Sequence, residues 1–256
     1  MSGEKRVLRT QAIILRRSDL GEADRLLTLF TPEYGKVRAV AKGVRRPTAK
    51  AAGHVELYSL VDMVLARGRD LFIVSQVELV EPYLLLHEHL HRIGYASLFA
   101  ELVDRFAVDE QENQRAFDLL VTGLGWLCEE KVDLKLASRY FELRLLETMG
   151  YGLSLFKCAV GGEPLEPEDQ HFSVASGGVV CSGHVAPYER YIPLPLPTFK
   201  ALRHFTRASW KQICQLALNQ EQHRTLETIL HSTLIYLLEQ RLQSADFLRK
   251  LPESNR

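Results

Sequence analysis

The amino-acid sequence predicts an α+β chain. A five-stranded β-barrel stands at the N-terminus, and an α-helical domain with a small, irregular, Cys-bearing lobe follows it. Three observations predict this. Over the first 80 residues, apolar side chains come in short runs of strand type, alternating most clearly between Gly35 and Gly43. From Leu84 onward the period becomes helical, and Pro82 stands at the change. Residues 151–190 follow neither period, being rich in Gly and Pro and holding two of the four cysteines.

The strands follow in order. Val7–Leu15 is rich in branched apolar residues, and Arg25–Phe30 is a second short run. In Gly35–Gly43, Val37, Ala39 and Ala41 point one way while Lys36, Arg38 and Lys42 point the other. Val55–Ala66 and Leu71–Val80 complete the set, and Gly21, Pro32 with Gly35, Pro47 and Gly68 supply the turns. Five short strands in about 80 residues fit a small closed barrel, of which the OB-fold is the common five-stranded form. Closure buries the odd face of the third strand and leaves three cations outside.

The helical part begins with Leu90, Ile93, Leu98, Leu102 and Phe106, spaced three to five residues apart. Ala116–Cys128 and Leu134–Met149 continue it, and Gly150 and Gly152 stop the latter. Pro193, Pro195 and Pro197 lead into Thr198 as the expected N-cap of a further helix, and 221–243 reads as the last long helix. The expected division is a barrel over 1–80, helices over 81–150, a zinc-ribbon-like but degenerate lobe over 151–190, and helices again over 191–256.

Composition narrows the function classes. The 46% hydrophobic and 25% charged content is that of a folded, soluble chain. No apolar run approaches the roughly 18 residues of a membrane span. Met1–Arg6 has no apolar segment behind it, so no signal peptide is expected. Four cysteines do not make a disulfide scaffold, and a reducing cytoplasm is the expected compartment. The formal net charge of +0 hides an asymmetry: residues 1–80 hold 14 basic and 9 acidic side chains, the remainder 18 and 23. Between Glu33 and Glu56 there is no acid, while Lys36, Arg38, Lys42, Arg45, Arg46 and Lys50 are present. Such a lobe suits a polyanion. A second acid-free stretch, Glu189 to Glu221, carries Lys200, Arg203, Arg207 and Lys211 on one side of a helix, unless Ser209 interrupts it.

Other motifs are weaker. His87-Glu88-His89-Leu90-His91 matches H-E-x-x-H, which on one helix would hold zinc with Glu88 as general base; Gly94 fits the longer pattern, but Ser97 stands where its third histidine belongs. Cys158, Cys181 and His184 resemble two ribbon knuckles, yet Gly161 occupies the second ligand position of the first. Three ligands do not close a structural site, and His171 would be a fourth only if the loop folded back. No bound metal or other cofactor is therefore expected. Cys128 and Cys214 lie in apolar helical patterns and read as core. No phosphate-binding loop and no G-x-S-x-G elbow occur, so no enzyme is expected.

A set of phrases then becomes informative through order and spacing. These are Gly21-Glu22-Ala23-Asp24-Arg25, Leu29-Phe30-Thr31-Pro32-Glu33-Tyr34-Gly35-Lys36, Ala41-Lys42-Gly43-Val44-Arg45-Arg46, and Val61-Asp62 with Arg67-Gly68-Arg69-Asp70-Leu71. Glu101-Leu102-Val103-Asp104, Phe141-Glu142-Leu143 through Gly150-Tyr151, Ser176-Gly177-Gly178, and Leu242-Gln243-Ser244 with Phe247-Leu248 follow. Together they resemble the RecO family of bacterial recombination mediators, from about Thr10 to Leu251. The resemblance implies an N-terminal OB-fold, a helical domain and a Cys-bearing lobe. It also implies binding of ssDNA and dsDNA, ATP-independent annealing of complementary strands, contact with the SSB C-terminal tail, and RecA loading with RecR, with RecF as a further partner. The chain departs from the zinc-bearing members at Gly161 and His184.

The expected DNA-binding residues are Arg25, Lys36, Lys42, Arg45 and Arg46 at family-like positions. Charge and strand parity add Arg38, Lys50, Arg67 and Arg69, with Arg203 and Arg207 as a second track. Tyr34 and Tyr58 are candidates for base stacking or for barrel-end packing. Arg139, before Phe141-Glu142-Leu143, is the candidate contact for the acidic tail of the single-strand-binding protein. The chain is expected in the cytoplasm, associated with the nucleoid. Two other classes remain: an adaptor that binds proteins without DNA, and a zinc hydrolase.

Overall fold

The computed structural model describes residues 7–46 and 52–252. The chain forms two compact units. One runs to Glu130 and resumes at Gln243; the other is Lys131–Leu242.

The first unit opens with β1 (Val7–Leu20), β2 (Asp24–Thr31), β3 (Gly35–Ala41), β4 (Leu60–Arg67) and β5 (Phe72–Glu81). They close into a barrel in the order β1-β2-β3-β5-β4, with only the β3–β5 pair parallel. The OB-type barrel expected from the strand runs is present. β1 is long enough to serve two neighbours, pairing with β4 through its first half and β2 through its second, so Ile13 meets both Leu60 and Phe30. A register shift between Ile14 and Arg16 breaks the alternation there, so Ile13, Ile14 and Leu15 are all buried while Arg16 faces out. The interior is filled from every strand, by Ile14, Leu27, Leu29, Val37, Met63, Leu65 and Phe72 among others.

The fourth strand begins later than its apolar run. Ala52–His54 forms a 3₁₀ turn, and Tyr58 has a left-handed backbone at φ 66°. Its N–H donates to the Ile14 carbonyl (2.9 Å), and its ring is buried, so it packs the barrel rather than facing a ligand.

Helices α1 (Leu84–Glu88), α2 (Leu90–Phe106) and α3 (Gln114–Trp126) complete this part, and Asn113 caps α3 through Ala116 N–H at 3.1 Å. The second unit holds α4 (Leu134–Thr148), a three-stranded sheet of β6 (Gln170–Ser173), β7 (Gly178–Val180) and β8 (Ile192–Leu194), then α5 (Leu196–Arg207), α6 (Trp210–Ile213) and α7 (Gln220–Leu238). α8 (Gln243–Lys250) returns to the first unit and packs on α2. Glu101 of α2 accepts the Gln243 and Ser244 N–H groups at α8's first turn (3.1 and 2.8 Å).

Two helix boundaries differ from the sequence expectation. Thr198 is not a cap: α5 starts at Leu196, whose N–H donates to Asp169 at 2.8 Å, and Thr198 is buried inside the first turn. The last long helix stops at Leu238, because Glu239 turns left-handed (φ 53°) and the following residues begin α8. Among the described residues, no helix is long and apolar enough to cross a membrane.

Candidate nucleic-acid interface

The outward faces of β1, β2 and β3 carry a cationic row. Register sets Arg16 beside Thr28 and Thr28 beside Arg38. A cleft of about 300 Å³ runs along this face, lined by Arg16, Arg17, Lys36 and Arg38 on the barrel and by Asp104 and Asp109 from α2 and the segment after it. Sequence parity missed Arg16, because the irregularity at Ile14 re-aims it. Only a bulge, invisible in the apolar pattern, places it beside Arg38.

The expected barrel cations separate into two kinds. Lys36 is largely buried and tied inward: its Nζ donates to the Asp104 carbonyl (2.7 Å) and pairs with Asp109 (3.3 Å) and Asp104 (3.6 Å). Arg25 faces Glu56 (3.4 Å), which Arg17 also pairs with. Arg45 bridges the β1–β2 turn, pairing with Asp19 (3.1 Å) and donating to the Gly21 carbonyl (3.0 Å). Arg67 pairs with Glu110 at 3.0 Å. By contrast, Arg38, Lys42, Arg46 and Arg69 are exposed, and among the described residues no carboxylate lies within 4.0 Å of them. Lys50 lies outside the described residues.

Local geometry explains the placement. Gly43, at φ 65°, turns the chain after β3, and its N–H donates to Asp24 Oδ1 (2.7 Å). The Arg45 N–H donates to the Ala23 carbonyl (2.9 Å). These bonds fasten the 42–46 turn to the β1–β2 turn and leave the Lys42 and Arg46 side chains outside. The parallel pairing of Ala39 with Phe72 brings the 68–71 turn alongside the Arg38 end of β3. Tyr34 is partly buried against the barrel core. Neither expected stacking tyrosine is an exposed platform, so charge dominates this face.

In the second unit, Arg203 and Arg207 lie one turn apart on α5. Their guanidinium carbons sit 4.6 and 4.0 Å from the centre of the Phe156 ring, and Arg203 also lies 5.1 Å from Phe199. Neither pairs with a carboxylate among the described residues. α5 ends at Arg207, and Ser209 starts α6 with a capping box to Gln212, so Lys211 stands on a different helix from this pair.

Arg139 corrects an expectation. Its side chain is 9% exposed and pairs with Glu142 at 2.9 Å on the same helix. A guanidinium so placed presents no basic rim to an acidic peptide.

The histidine motif also fails its geometric premise. α1 ends at Glu88 and α2 starts at Leu90, with His89 extended between them (φ −128°, ψ 118°). His87 and His91 therefore do not share a helix face, and His91 Nε2 hydrogen-bonds the Pro252 carbonyl (2.9 Å). Gly94 has a packing role: a Cβ there would lie 2.7 Å from Leu248 of α8.

The Cys-bearing lobe gathers four donors. Among the described residues, Cys158, Glu163, Cys181 and His184 form the one group of metal-ligating type, with ligand atoms all within 4.8 Å of one another. His171 stays on β6 with its ring against Tyr191. Sequence spacing missed Glu163. The two remaining cysteines are not core residues, Cys128 being half-buried and Cys214 exposed.

Comparison with known proteins agrees on both halves of the chain. The family described as "Recombination protein O N terminal" matches residues 3–83, and "Recombination protein O C terminal" matches 87–246. A "DNA repair protein RecO" of Roseiflexus sp. (strain RS-1) is 39% identical over 244 residues, covering 95% of this chain and 85% of that protein. One of Pelotomaculum thermopropionicum is 34% identical over 254 residues, covering 97% and 96%, and one of Dehalococcoides mccartyi (strain ATCC BAA-2100) is 32% identical over 243 residues, covering 95% of each.

Proposed function

The chain belongs to the recombination protein O family, and on that premise we propose that it serves DNA repair and recombination by holding DNA strands, without catalysis. The observation that carries the reading is the division of the barrel's cations. Arg25, Lys36, Arg45 and Arg67 are neutralised by carboxylates of the same unit. Arg38, Lys42, Arg46 and Arg69 are left for an external polyanion. Single strands suit such a surface, since exposed guanidinium and ammonium groups track phosphates whatever the sequence.

Annealing of complementary strands without ATP follows if two strands are neutralised together, one on the barrel and one on the Arg203–Arg207 pair of α5. Contacts with the tail of the single-strand-binding protein and with RecR, and the loading of RecA, rest on family membership alone.

The test is binding of a fluorescent single-stranded oligonucleotide to the full chain, followed by annealing of complementary strands without nucleotide. Binding at low salt, with annealing lost in the Arg203→Glu/Arg207→Glu variant that still binds one strand, is the expected result. Absence of binding at low salt removes the direct DNA role and leaves a protein-binding adaptor. Unchanged annealing in the double variant removes the second track alone.

A further inference from the structure

We infer that the Cys-bearing lobe is a zinc clasp of Cys158, Glu163, Cys181 and His184, in which Glu163 takes the place that Gly161 leaves without a ligand. The inference is independent of the DNA-binding reading.

The backbone explains why this carboxylate arrives there. Lys157 and Pro164 form an antiparallel bridge, and the Cys158 N–H donates to the Glu163 carbonyl (2.8 Å). Residues 159–162 are thus the loop of a hairpin, turned by Gly162 at φ 79°, and Cys158 and Glu163 face each other across it. The Gly161 N–H donates to Cys158 Sγ (3.4 Å), as a knuckle's backbone does to a thiolate. The opposite knuckle, Cys181 to His184, is closed by the His184 N–H on the Cys181 carbonyl (3.0 Å).

The donors stand at coordination spacing. Cys158 Sγ is 3.8 Å from His184 Nδ1, and Cys181 Sγ is 3.2 Å from the same nitrogen. Glu163 Oε1 is 2.9 Å from Cys181 Sγ and 3.0 Å from His184 Nδ1. Ligands about 2.0–2.3 Å from a tetrahedral zinc ion lie roughly 3.3–3.8 Å apart, so a small relaxation seats the ion. Two sulfurs, one imidazole and one carboxylate suit Zn²⁺ better than the hard cations Mg²⁺ or Ca²⁺. Binding releases the two thiol protons. Gly161 belongs to the same device: a Cβ there would lie 2.1 Å from Glu163 Oε2 and 2.4 Å from His184 Cε1. The absent side chain makes the room that the carboxylate fills.

The experiment strips the full-length protein with a chelator under reductant, then titrates it with Zn²⁺ against a competing chromogenic chelator and separately with Co²⁺. The expected result is one equivalent per chain, with thiolate-to-cobalt charge transfer and the strong visible absorption of tetrahedral Co²⁺. Glu163→Gln then lowers zinc affinity by at least ~10-fold, the smallest loss usual even for an outer-shell partner. His171→Ala leaves it unchanged. Adding Gly161→Cys to Glu163→Ala, which empties the space that the carboxylate fills, restores tight binding, and this separates a lost ligand from a misfolded lobe. No charge-transfer band in the parent chain, equal affinity in parent and Glu163→Gln, or a Cys158–Cys181 disulfide in protein kept under reductant would each overturn the clasp.

Discussion

Lys36 and Arg38 are two positions apart on β3, and their surroundings give them opposite roles. Lys36 has Asp104 and Asp109 on it; Arg38 is exposed. Sequence parity correctly put both outside the barrel, because alternation on a strand depends only on local geometry. It could not show which cation meets a carboxylate, since Asp104 lies 68 residues further along the chain. Arg139 shows the same limit more sharply. Charge next to an apolar phrase suggested a surface contact, but the side chain turns onto Glu142 inside the unit. Removing it takes the guanidinium away from a buried carboxylate that also accepts from the Ser138 hydroxyl (2.9 Å). Arg139→Ala is therefore expected to lower stability by about 3–5 kcal/mol in chemical denaturation. Stability within 1 kcal/mol of the parent would show that the pair is not load-carrying.

At the level of elements, periodicity located the strands and most helices, while breaks in backbone regularity escaped it. The bulge in β1, the left-handed Tyr58 and Glu239, and the extended His89 each cost one sequence expectation. Caps escaped it as well, Thr198 being expected as one and Asp133 not singled out. Asp133 starts α4 by accepting the Leu136 N–H (3.1 Å), and it also pairs with His223 of α7 (3.3 Å). Burial raises the pKa of this carboxyl, but the His223 hydrogen bond and the backbone N–H groups outweigh it and hold the value below the ordinary one. A depressed folded-state pKa contributes stability that is complete above the unfolded value, about 3.9, and lost as pH falls through the folded one. Asp133→Asn keeps a capping oxygen but cannot titrate. The parent chain should lose its advantage over this variant as pH is lowered below about 4 in thermal melts. A pH-independent difference would contradict the assignment.

Across the whole molecule, the first unit is discontinuous in sequence, because α8 follows the second unit yet belongs to the first. Helical periodicity alone joined its start to α7, and nothing local marked where α8 would dock. The phrases that carry the family resemblance fall largely on such architectural points. Gly21, Gly35 and Gly43 turn the barrel with positive φ, Glu101 holds the start of α8, and Gly177 turns the β6–β7 hairpin. A resemblance built on these positions reports the fold more directly than the surface proposed to hold DNA. The charge asymmetry of the first 80 residues survives in three dimensions, reduced to the cations that their own unit does not neutralise.

The most direct test of that division is a salt series of single-strand binding for three proteins: the parent, Arg38→Ala/Lys42→Ala/Arg46→Ala, and Lys36→Ala/Arg45→Ala. Each phosphate contact contributes about −0.7 to the log–log slope. The account predicts a slope shallower by about 2 units in the triple variant. In the double variant it predicts an unchanged slope with reduced thermal stability. Equal slopes in the parent and the triple variant, or a slope lost in the double variant with its fold intact, would contradict it.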